Sequence, residues 1–250
     1  MDALGDSITR AFDTCPETFV DCSACPNPYS DCPEFSWSTG TSTVVDSVYL
    51  RLLALNPGIS GHEYNDAVSG SKMAQLNGQA SIAVSRRVEL VTILMGGNDA
   101  CTPSVSTMTP TSTFRSQFQQ AMNTLTTGLP NVEIRVGSLP NAYRLWELFH
   151  TNSEAIRIWS LASICQSLLA NPTSTAPADV ARRAQVRARE EEYDAALQAV
   201  CVGYTQCRFD NDAGFNTMFG TRDVSHWDYF HPNIAGQSLI AFTAWNALGF

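Results

Sequence analysis

Strand-like and helix-like segments alternate along all 250 residues of the chain, and this alternation limits the folds open to it. The clearest strand is the apolar run at residues 88–95, whose position between polar stretches is typical of a strand buried on both faces. The clearest helix covers residues 179–202, where Asp179 can cap the first turn and apolar residues recur at helical spacing. Strands separated by helices favour a mainly parallel sheet with helices on both faces. We therefore predict an α/β fold, a three-layer α/β/α sandwich with a mainly parallel central sheet.

Shorter segments complete this pattern. A strand stub at residues 3–5 opens the chain, and residues 14–40 form a loop that is rich in Cys, Pro and Ser and has no periodicity. We predict further strands at 62–68, 132–136 and 207–210, and helices at 41–55, 71–85, 113–127, 143–170 (in pieces) and 232–248. Because neither an internal repeat nor a linker interrupts the series, we expect residues 1–250 to form one domain.

Composition excludes several classes of protein. The chain carries 24 acidic residues against 15 Lys and Arg, a net charge of −9, so it lacks the basic surface that nucleic-acid binding requires. Hydrophobic residues make up 44%, which excludes a disordered chain. The longest apolar run, from Leu90 to Met95, is too short to span a bilayer. We expect no nucleic-acid partner, no integral membrane segment and a monomeric state.

The 8 cysteines point to disulfides. An even number of cysteines is typical of an exported chain, so we expect a secreted protein whose leader is absent from this sequence. Half of the cysteines lie in the 14–40 loop, with a Cys-x-x-Cys at their centre: Cys15, Cys22, Cys25 and Cys32. A four-thiolate zinc site is the alternative for this cluster. The other half are expected to form two more disulfides, whose pairing does not follow from the sequence: Cys101, Cys165, Cys201 and Cys207.

Four short segments suit chemistry at the carboxyl edge of such a sheet. The first is Gly5-Asp6-Ser7, where a serine directly after a strand would expose its hydroxyl and direct its N–H from a helix start. Helix capping is the alternative there. The second segment contains Gly70, whose N–H could approach a ligand, although an ordinary turn glycine fits equally well.

The other two segments supply a donor and a base. Gly96-Gly97-Asn98-Asp99 follows the buried strand, and Asn98 could direct an amide donor at developing negative charge, unless the segment is a plain turn. In the fourth segment Asp228 could accept a hydrogen bond from one ring nitrogen of His231 while the other nitrogen faces the site. The alternative is a loop histidine with satisfied hydrogen bonds.

Taken in this order, the four segments resemble those of the SGNH (GDSL-like) hydrolase family of esterases and lipases, over essentially the whole chain. The phospholipase-B-like and secreted actinobacterial acylhydrolases look most similar, since they share the cysteine-bearing loop and a stretch like Trp37-Ser38-Thr39-Gly40. This resemblance implies a flavodoxin-like sandwich, no metal, no cofactor and a disulfide between Cys15 and Cys32. The family usually has leucine where this chain has Ile8, and a full strand where this chain has only residues 1–4.

The resemblance also implies a role for each matching residue. Ser7 would be the nucleophile, His231 the general base and then the general acid, and Asp228 the group that orients His231. The N–H groups of Ser7 and Gly70 and the side-chain amide of Asn98 would form the oxyanion hole. No substrate-binding residue is implied.

The sequence therefore predicts a carboxylic ester hydrolase, a serine esterase or lipase that acts on a small-molecule or lipid ester through an acyl-enzyme intermediate. A carbohydrate O-acetylesterase, which would use the same groups, is one alternative. A binding protein that kept the scaffold without turnover is another.

Further features have less specific interpretations. The charged stretch at 182–192, within the predicted helix at 179–202, is interpreted as a solvated face with ion pairs three or four residues apart. The pair Tyr229 and Phe230 fits either a wall of the acyl pocket or core packing. Three aromatic residues are interpreted as core residues: Trp146, Phe149 and Trp159.

Overall fold

The structure, a computed structural model, describes residues 1–15, 25 and 29–250. Its central sheet contains the strands β1 (Asp2–Gly5), β2 (Tyr64–Asn65), β3 (Leu90–Leu94), β4 (Glu133–Val136) and β5 (Cys207–Phe209). The five strands lie in the order β2-β1-β3-β4-β5, and each neighbouring pair is parallel. The predicted parallel α/β sheet is therefore confirmed.

Helices connect the strands. They are α1 (Val48–Leu55), α2 (Met73–Arg86), α3 (Gly97–Ala100), α4 (Thr111–Gly128), α5 (Tyr143–Phe149), α6 (Ser153–Leu161), α7 (Gln166–Leu169), α8 (Pro177–Cys201) and α9 (Ile234–Leu248). Helices α2, α4, α8 and α9 begin and end within two residues of their predicted bounds. In the part of the chain that the structure describes, no helix is at once long enough and apolar enough to cross a membrane.

Two hydrophobic cores lie on opposite faces of the sheet. Helices α2, α4 and α8 pack in series over the first core, and α1 and α9 pack together over the second. Side chains alternate along β3, because successive residues of a strand point to opposite faces. Ile93 belongs to the first core and Leu94 to the second. The result is the predicted three-layer sandwich, with the carboxyl ends of β1 and β3 at one edge.

Two elements, α1 and β2, are less than two thirds as long as predicted and the most shortened of the predicted single elements. Helix α1 begins late because the Ser47 hydroxyl caps it, accepting a hydrogen bond from the Leu50 N–H at 3.2 Å. The preceding Asp46 has a φ of +54°, a left-handed conformation that interrupts a helix. Strand β2 is shorter than the predicted 62–68, since only Tyr64–Asn65 pairs with β1.

Two disulfides join the later cysteines, Cys101 to Cys165 and Cys201 to Cys207. This pairing confirms that these four residues form two disulfides. The first bond spans 64 residues and holds the end of α3 against the start of α7. It therefore braces the segment that follows Asn98.

The pairing within the 14–40 loop is not the expected one. Cys32 is bonded to Cys25, only 7 residues away, so the expected Cys15–Cys32 disulfide is wrong. Closing the shorter loop costs less chain entropy, which favours the nearer partner. Cys15 also takes part in a disulfide, and Cys22 lies outside the described residues. Since disulfide sulfur is not a thiolate ligand, the described cysteines of this loop do not support the zinc alternative.

The charged stretch of α8 is solvated on one side only. Arg187 and Glu191 are exposed and form an ion pair at 3.1 Å, as the interpretation expected. Arg183 and Glu190 are instead buried, with 2% and 1% of their surface exposed. They lie three and four residues from Val186, on the same buried face of the helix. The interpretation of the whole stretch as a solvated face is therefore wrong at these two positions.

The aromatic residues predicted for the core lie in or against it. Phe149 and Trp159 are buried in the first core, and Trp146 is half-buried against it. The Arg183 guanidinium lies 4.5 Å from the centre of the Trp146 ring, a distance at which the charge and the ring attract. This contact helps to explain how an arginine can be buried on α8.

Candidate active site

Ser7 lies in a tight turn directly after β1, near the middle of the sheet. The turn contains a helix-like hydrogen bond, in which the Asp6 carbonyl accepts from the Arg10 N–H at 3.0 Å. Asp6 caps this turn, with its Oδ1 accepting from the Ile8 N–H at 3.0 Å. Asp6 therefore caps the turn, whereas the Ser7 hydroxyl is hydrogen-bonded to a residue outside the turn.

Gln79 of α2 fixes the backbone just before this turn. Its side-chain amide accepts from the Gly5 N–H at 2.8 Å and donates to the Gly5 carbonyl at 2.9 Å. A Cβ atom at Gly5 would lie 2.5 Å from the Leu94 carbonyl oxygen, so the close approach of β1 and β3 requires glycine there. The sequence interpretation missed Gln79. A polar residue among the buried apolar positions of α2 was the signal that could have found it.

His231 and Asp228 share one loop ahead of α9. Asp228 Oδ1 accepts from the N–H groups of Phe230 and His231, at 2.8 and 3.0 Å, which fixes the carboxylate. Its Oδ2 lies 2.5 Å from His231 Nδ1, and His231 Nε2 lies 2.8 Å from Ser7 Oγ. A neutral imidazole that donates Nδ1–H to Asp228 presents its Nε2 lone pair to the Ser7 hydroxyl. The structure thus brings three of the predicted site residues into one hydrogen-bonded chain.

Three carboxyl groups surround the His231 ring, from Asp6, Asp13 and Asp228. Burial lowers the pKa of His231, but the charge and hydrogen bond of Asp228, followed by the charges of Asp13 and Asp6, raise it more, so the pKa lies above its usual value. For Asp228 burial acts in the opposite direction and raises the pKa. The charge and hydrogen bonds of the neighbouring His231 outweigh burial, so the pKa of Asp228 lies below its usual value. The site therefore stabilises an imidazolium paired with a carboxylate.

Asp13 forms a second carboxyl group behind the Asp228–His231 pair, and the sequence interpretation missed it. It is 2% exposed, and its Oδ1 accepts from the Tyr29 N–H at 3.0 Å. Ser225 Oγ donates to its Oδ2 at 3.4 Å. Burial and then the adjacent Asp228, with which it shares a hydrogen bond, raise the pKa of Asp13 to about 7. No periodicity or spacing in the sequence marks this residue.

Asn98 lies at the start of α3, directly after β3. Its Nδ2 donates to the Ser71 carbonyl at 3.0 Å, which orients the amide and leaves its second N–H for another acceptor. Gly70 precedes Ser71 in an exposed turn, with a φ of +82° that favours glycine. Asn98 shares a pocket with Ser7 and His231, whereas Gly70 does not line that pocket.

The pocket shared by these three side chains has a volume of about 790 Å³, including its open mouth. Most of its wall is apolar and comes from the end of β3, from α5 and from loops: Leu94, Met95, Leu139, Leu145, Phe219 and Phe230. An apolar pocket with a few polar groups gathered at one end is typical of a small-molecule site.

The two aromatic residues beside His231 have different positions. Phe230 lines the pocket, as one of the two interpretations expected. Tyr229 contacts Phe149 edge-on and stacks on His226, which is packing against the core.

A second groove reaches the His231 ring without touching Ser7. Phe12, Ile158 and Leu161 form much of its wall, and both His231 and Asp228 line it. Two separate spaces therefore meet at the imidazole.

These groups can together activate a hydroxyl. A serine hydroxyl is a weak nucleophile until a base takes its proton, and a neutral imidazole within hydrogen-bonding distance is such a base. Among residues 1–15, 25 and 29–250, no group of three or more His, Cys, Asp or Glu side chains is placed to hold a metal ion.

Solved structures share the fold. An α/β hydrolase from the metagenome of Lake Arreo, Spain, superposes with a TM-score of 0.57 at 14% identity, over 99% of this chain and 94% of that one. An acetyl xylan esterase and the phospholipase A1 of Streptomyces albidoflavus each give a TM-score of 0.54 at 14% identity, over 99% of this chain and 98% of theirs. No curated protein matches the chain significantly in sequence.

The sequence itself carries a family relationship. A sequence model of the GDSL-like lipase/acylhydrolases matches residues 3–242, nearly the whole chain. The matched range includes the turn at Ser7, the segment at Asn98 and the loop at His231. The chain belongs to the GDSL-like lipase/acylhydrolase family and is a carboxylic ester hydrolase.

Proposed function

We propose that the chain is a serine esterase or lipase that hydrolyses esters of apolar acyl groups through an acyl-enzyme intermediate. The observation that carries the proposal is the hydrogen-bonded chain from Asp228 through His231 to Ser7, at the mouth of an apolar pocket. Nucleophile, base and orienting carboxylate are the groups that acyl transfer to serine requires.

In the first half of the reaction, Ser7 Oγ attacks the carbonyl carbon of the ester while His231 Nε2 takes the hydroxyl proton. The carbonyl oxygen becomes an oxyanion, which the free N–H of Asn98 and the backbone N–H groups of Ser7 and Gly70 would stabilise. When the bond from carbon to the alcohol oxygen breaks, His231 gives its proton to that oxygen. Asp228 stabilises the imidazolium in between.

In the second half, water replaces the alcohol. His231 Nε2 takes a proton from the water as its oxygen attacks the acyl carbon on Ser7. The same donors stabilise the second oxyanion, and the bond to Ser7 Oγ then breaks. The carboxylic acid leaves, and Ser7 recovers its proton from His231.

The two spaces at the imidazole suit the two halves of the substrate. The apolar pocket touches both Ser7 and Asn98, so it is placed to take the acyl chain of a bound ester. The groove touches His231 but not Ser7, and His231 must reach the leaving oxygen, so this groove is placed to take the alcohol part. We call the first space the acyl pocket from here on.

A panel of p-nitrophenyl esters with increasing acyl length tests the proposed substrate class. Each buried methylene contributes about 0.8 kcal/mol, so kcat/KM should rise at least about tenfold from acetyl to hexanoyl. A carbohydrate O-acetylesterase would prefer acetyl, because longer chains would gain nothing. A folded protein that turns over none of these esters would instead be a binding protein on this scaffold.

The rate should fall at low pH, because His231 must be neutral to act as a base. Its pKa is raised, so kcat/KM should increase with pH through an apparent pKa above the usual value for histidine. Asp13→Asn removes one of the three carboxyl groups around the ring, lowers the pKa of His231 and should move this limb to lower pH. The pH profiles of the two proteins test this. A wild-type kcat/KM that does not change with pH, or an acidic limb that moves to higher pH in Asp13→Asn, would contradict the assignment of His231 as the general base.

We also propose that the protein is secreted. Its described disulfides, Cys25–Cys32, Cys101–Cys165 and Cys201–Cys207, suit an oxidising compartment. Thiol titration of the denatured, unreduced protein provides a test. Eight free thiols in protein isolated from its native location would contradict the proposal.

A further inference from the structure

Glu190 is a buried carboxyl group in the wall of the acyl pocket. It lies on α8 between Val186 and Tyr193, both fully buried, at a position where an apolar side chain would satisfy the packing. Only 1% of its surface is exposed, and it lines the same pocket as Ser7. The mechanism described above does not use it.

Half of this carboxyl group has a partner. The Ala142 N–H donates to it, whereas Oε2 has no hydrogen-bond partner among the described residues. A buried polar atom without a partner is unfavourable, because it has lost its hydrogen bonds to water and gained none in the protein. Burial raises the pKa of Glu190 to about 8, so near neutral pH the group is a carboxylic acid that carries a proton to donate. A bound substrate could supply the missing partner.

A second unpartnered atom lies nearby in the same wall. Asn141 directly precedes Ala142, the residue whose N–H is bonded to Glu190. The side-chain oxygen of Asn141 is buried, has no partner among the described residues, and can only accept a hydrogen bond. Asn141 also lines the acyl pocket. The wall thus presents a donor at Glu190 and an acceptor at Asn141.

The chemistry of these two groups selects one kind of ligand. A hydroxyl group both accepts and donates, so one hydroxyl can satisfy both atoms. A ketone only accepts, so it would leave Asn141 Oδ1 without a partner. An ammonium group only donates, so it would require Glu190 to be ionised, a form that burial disfavours. Most of the remaining wall is apolar and suits the carbon chain that would carry the hydroxyl.

We propose that Glu190 and Asn141 form a subsite for a hydroxyl group on the acyl chain, so that the enzyme prefers hydroxyacyl esters to the corresponding unsubstituted esters. The hydroxyl oxygen accepts from the Glu190 carboxyl group, and the hydroxyl proton is donated to Asn141 Oδ1. This inference rests on the proposed function, because it assumes that the acyl chain of the substrate binds in the acyl pocket.

The test compares p-nitrophenyl octanoate with octanoates in which a single hydroxyl is moved along the outer half of the chain. The measured quantity is the ratio of kcat/KM for the hydroxylated ester to kcat/KM for octanoate. A hydrogen bond to a buried polar group is worth about 1.5 kcal/mol, so at least one positional isomer should be preferred about tenfold by the wild type. The ratio is independent of the fraction of active enzyme, so partial unfolding of a variant does not affect it.

Variants assign the preference to the two residues. Glu190→Leu should lower the ratio about tenfold, and Glu190→Gln should keep most of it, because glutamine can still accept from Ala142 and donate to the hydroxyl. If the leucine variant does not fold, Asn141→Ala serves in its place. It removes the acceptor, leaves the Glu190–Ala142 bond intact, and should also lower the ratio.

Asp194 provides the matched control. Its Oδ1 accepts from the Leu139 N–H at 2.9 Å, so it supports the same segment as Glu190, yet it does not line the acyl pocket. Asp194→Leu should leave the ratio unchanged. An equal fall in Asp194→Leu and Glu190→Leu would assign Glu190 to loop support and overturn the inference.

The outcome also separates this inference from the proposed function. If the wild type hydrolyses octanoate in a Ser7-dependent way but prefers no hydroxylated isomer, the hydroxyl subsite is wrong and the serine esterase stands. If folded wild-type protein hydrolyses neither kind of ester, the proposed function fails, and the subsite fails with it.

Discussion

Ser7→Ala is expected to lower kcat/KM for p-nitrophenyl esters by about 10⁶-fold, the size of effect that removal of a serine nucleophile has in other hydrolases. The change deletes one oxygen atom, whose hydrogen bond is to His231 Nε2. It leaves Gly5, Asp6 and Gln79, which shape the turn, untouched. The fold should therefore survive, and the loss should appear in kcat.

His231→Ala should cost a similar factor, and the double variant with Ser7→Ala should cost little more than either single change. Groups that act as one unit give such non-additive losses. Ser81→Ala on the exposed face of α2 and His62→Ala on the surface are matched controls, and both should retain wild-type rates. Losses that simply multiply in the double variant would show that Ser7 and His231 act separately.

Asn98→Ala is expected to lower kcat by about 10²–10³-fold with little change in KM. One N–H of its amide is held by the Ser71 carbonyl, and the second is free to meet an oxyanion. A preorganised donor at that place stabilises the transition state more than the ground state, and its removal typically costs about 2.7–4 kcal/mol. Steady-state kinetics with a single p-nitrophenyl ester measures the effect.

Asn98→Asp distinguishes the loss of the N–H donor from a change in the shape of the side chain. Aspartate is nearly isosteric with asparagine, but its carboxylate has no N–H and repels an oxyanion, so the loss should be at least as large as in Asn98→Ala. Asn246→Ala, on the exposed face of α9, is the control. A KM effect with unchanged kcat would assign Asn98 to substrate binding instead.

The long elements of the fold were predictable, because their signals are local. Helix α8 follows an apolar repeat that the sequence displays directly, and β3 is a continuous apolar run. Helix α1 begins late because of the hydroxyl of Ser47 and the backbone of Asp46, details that the apolar repeat does not contain. The Cys25–Cys32 pairing depends on how the loop folds, which the number and spacing of cysteines leave open.

The candidate site was predictable only where residues directly follow a strand or precede a helix. Ser7, Asn98 and His231 come from segments at strand ends or helix starts, and the structure places all three around one pocket. Their catalytic roles stay a prediction. Asp13 and Glu190 gave no such signal, since a loop aspartate and a glutamate in a charged stretch are usually solvated. Both residues are buried by contacts between segments that lie far apart in the sequence, and no local pattern reveals such contacts.

The most direct test is to find where an acyl-enzyme mimic forms. A fluorophosphonate probe with an alkyl chain reacts with an activated serine, and peptide mass spectrometry then locates the added mass. The account predicts stoichiometric labelling of the peptide that contains Ser7, abolished in Ser7→Ala and strongly slowed in His231→Ala. Labelling of another residue, or ester hydrolysis by a protein that the probe does not label at all, would contradict it.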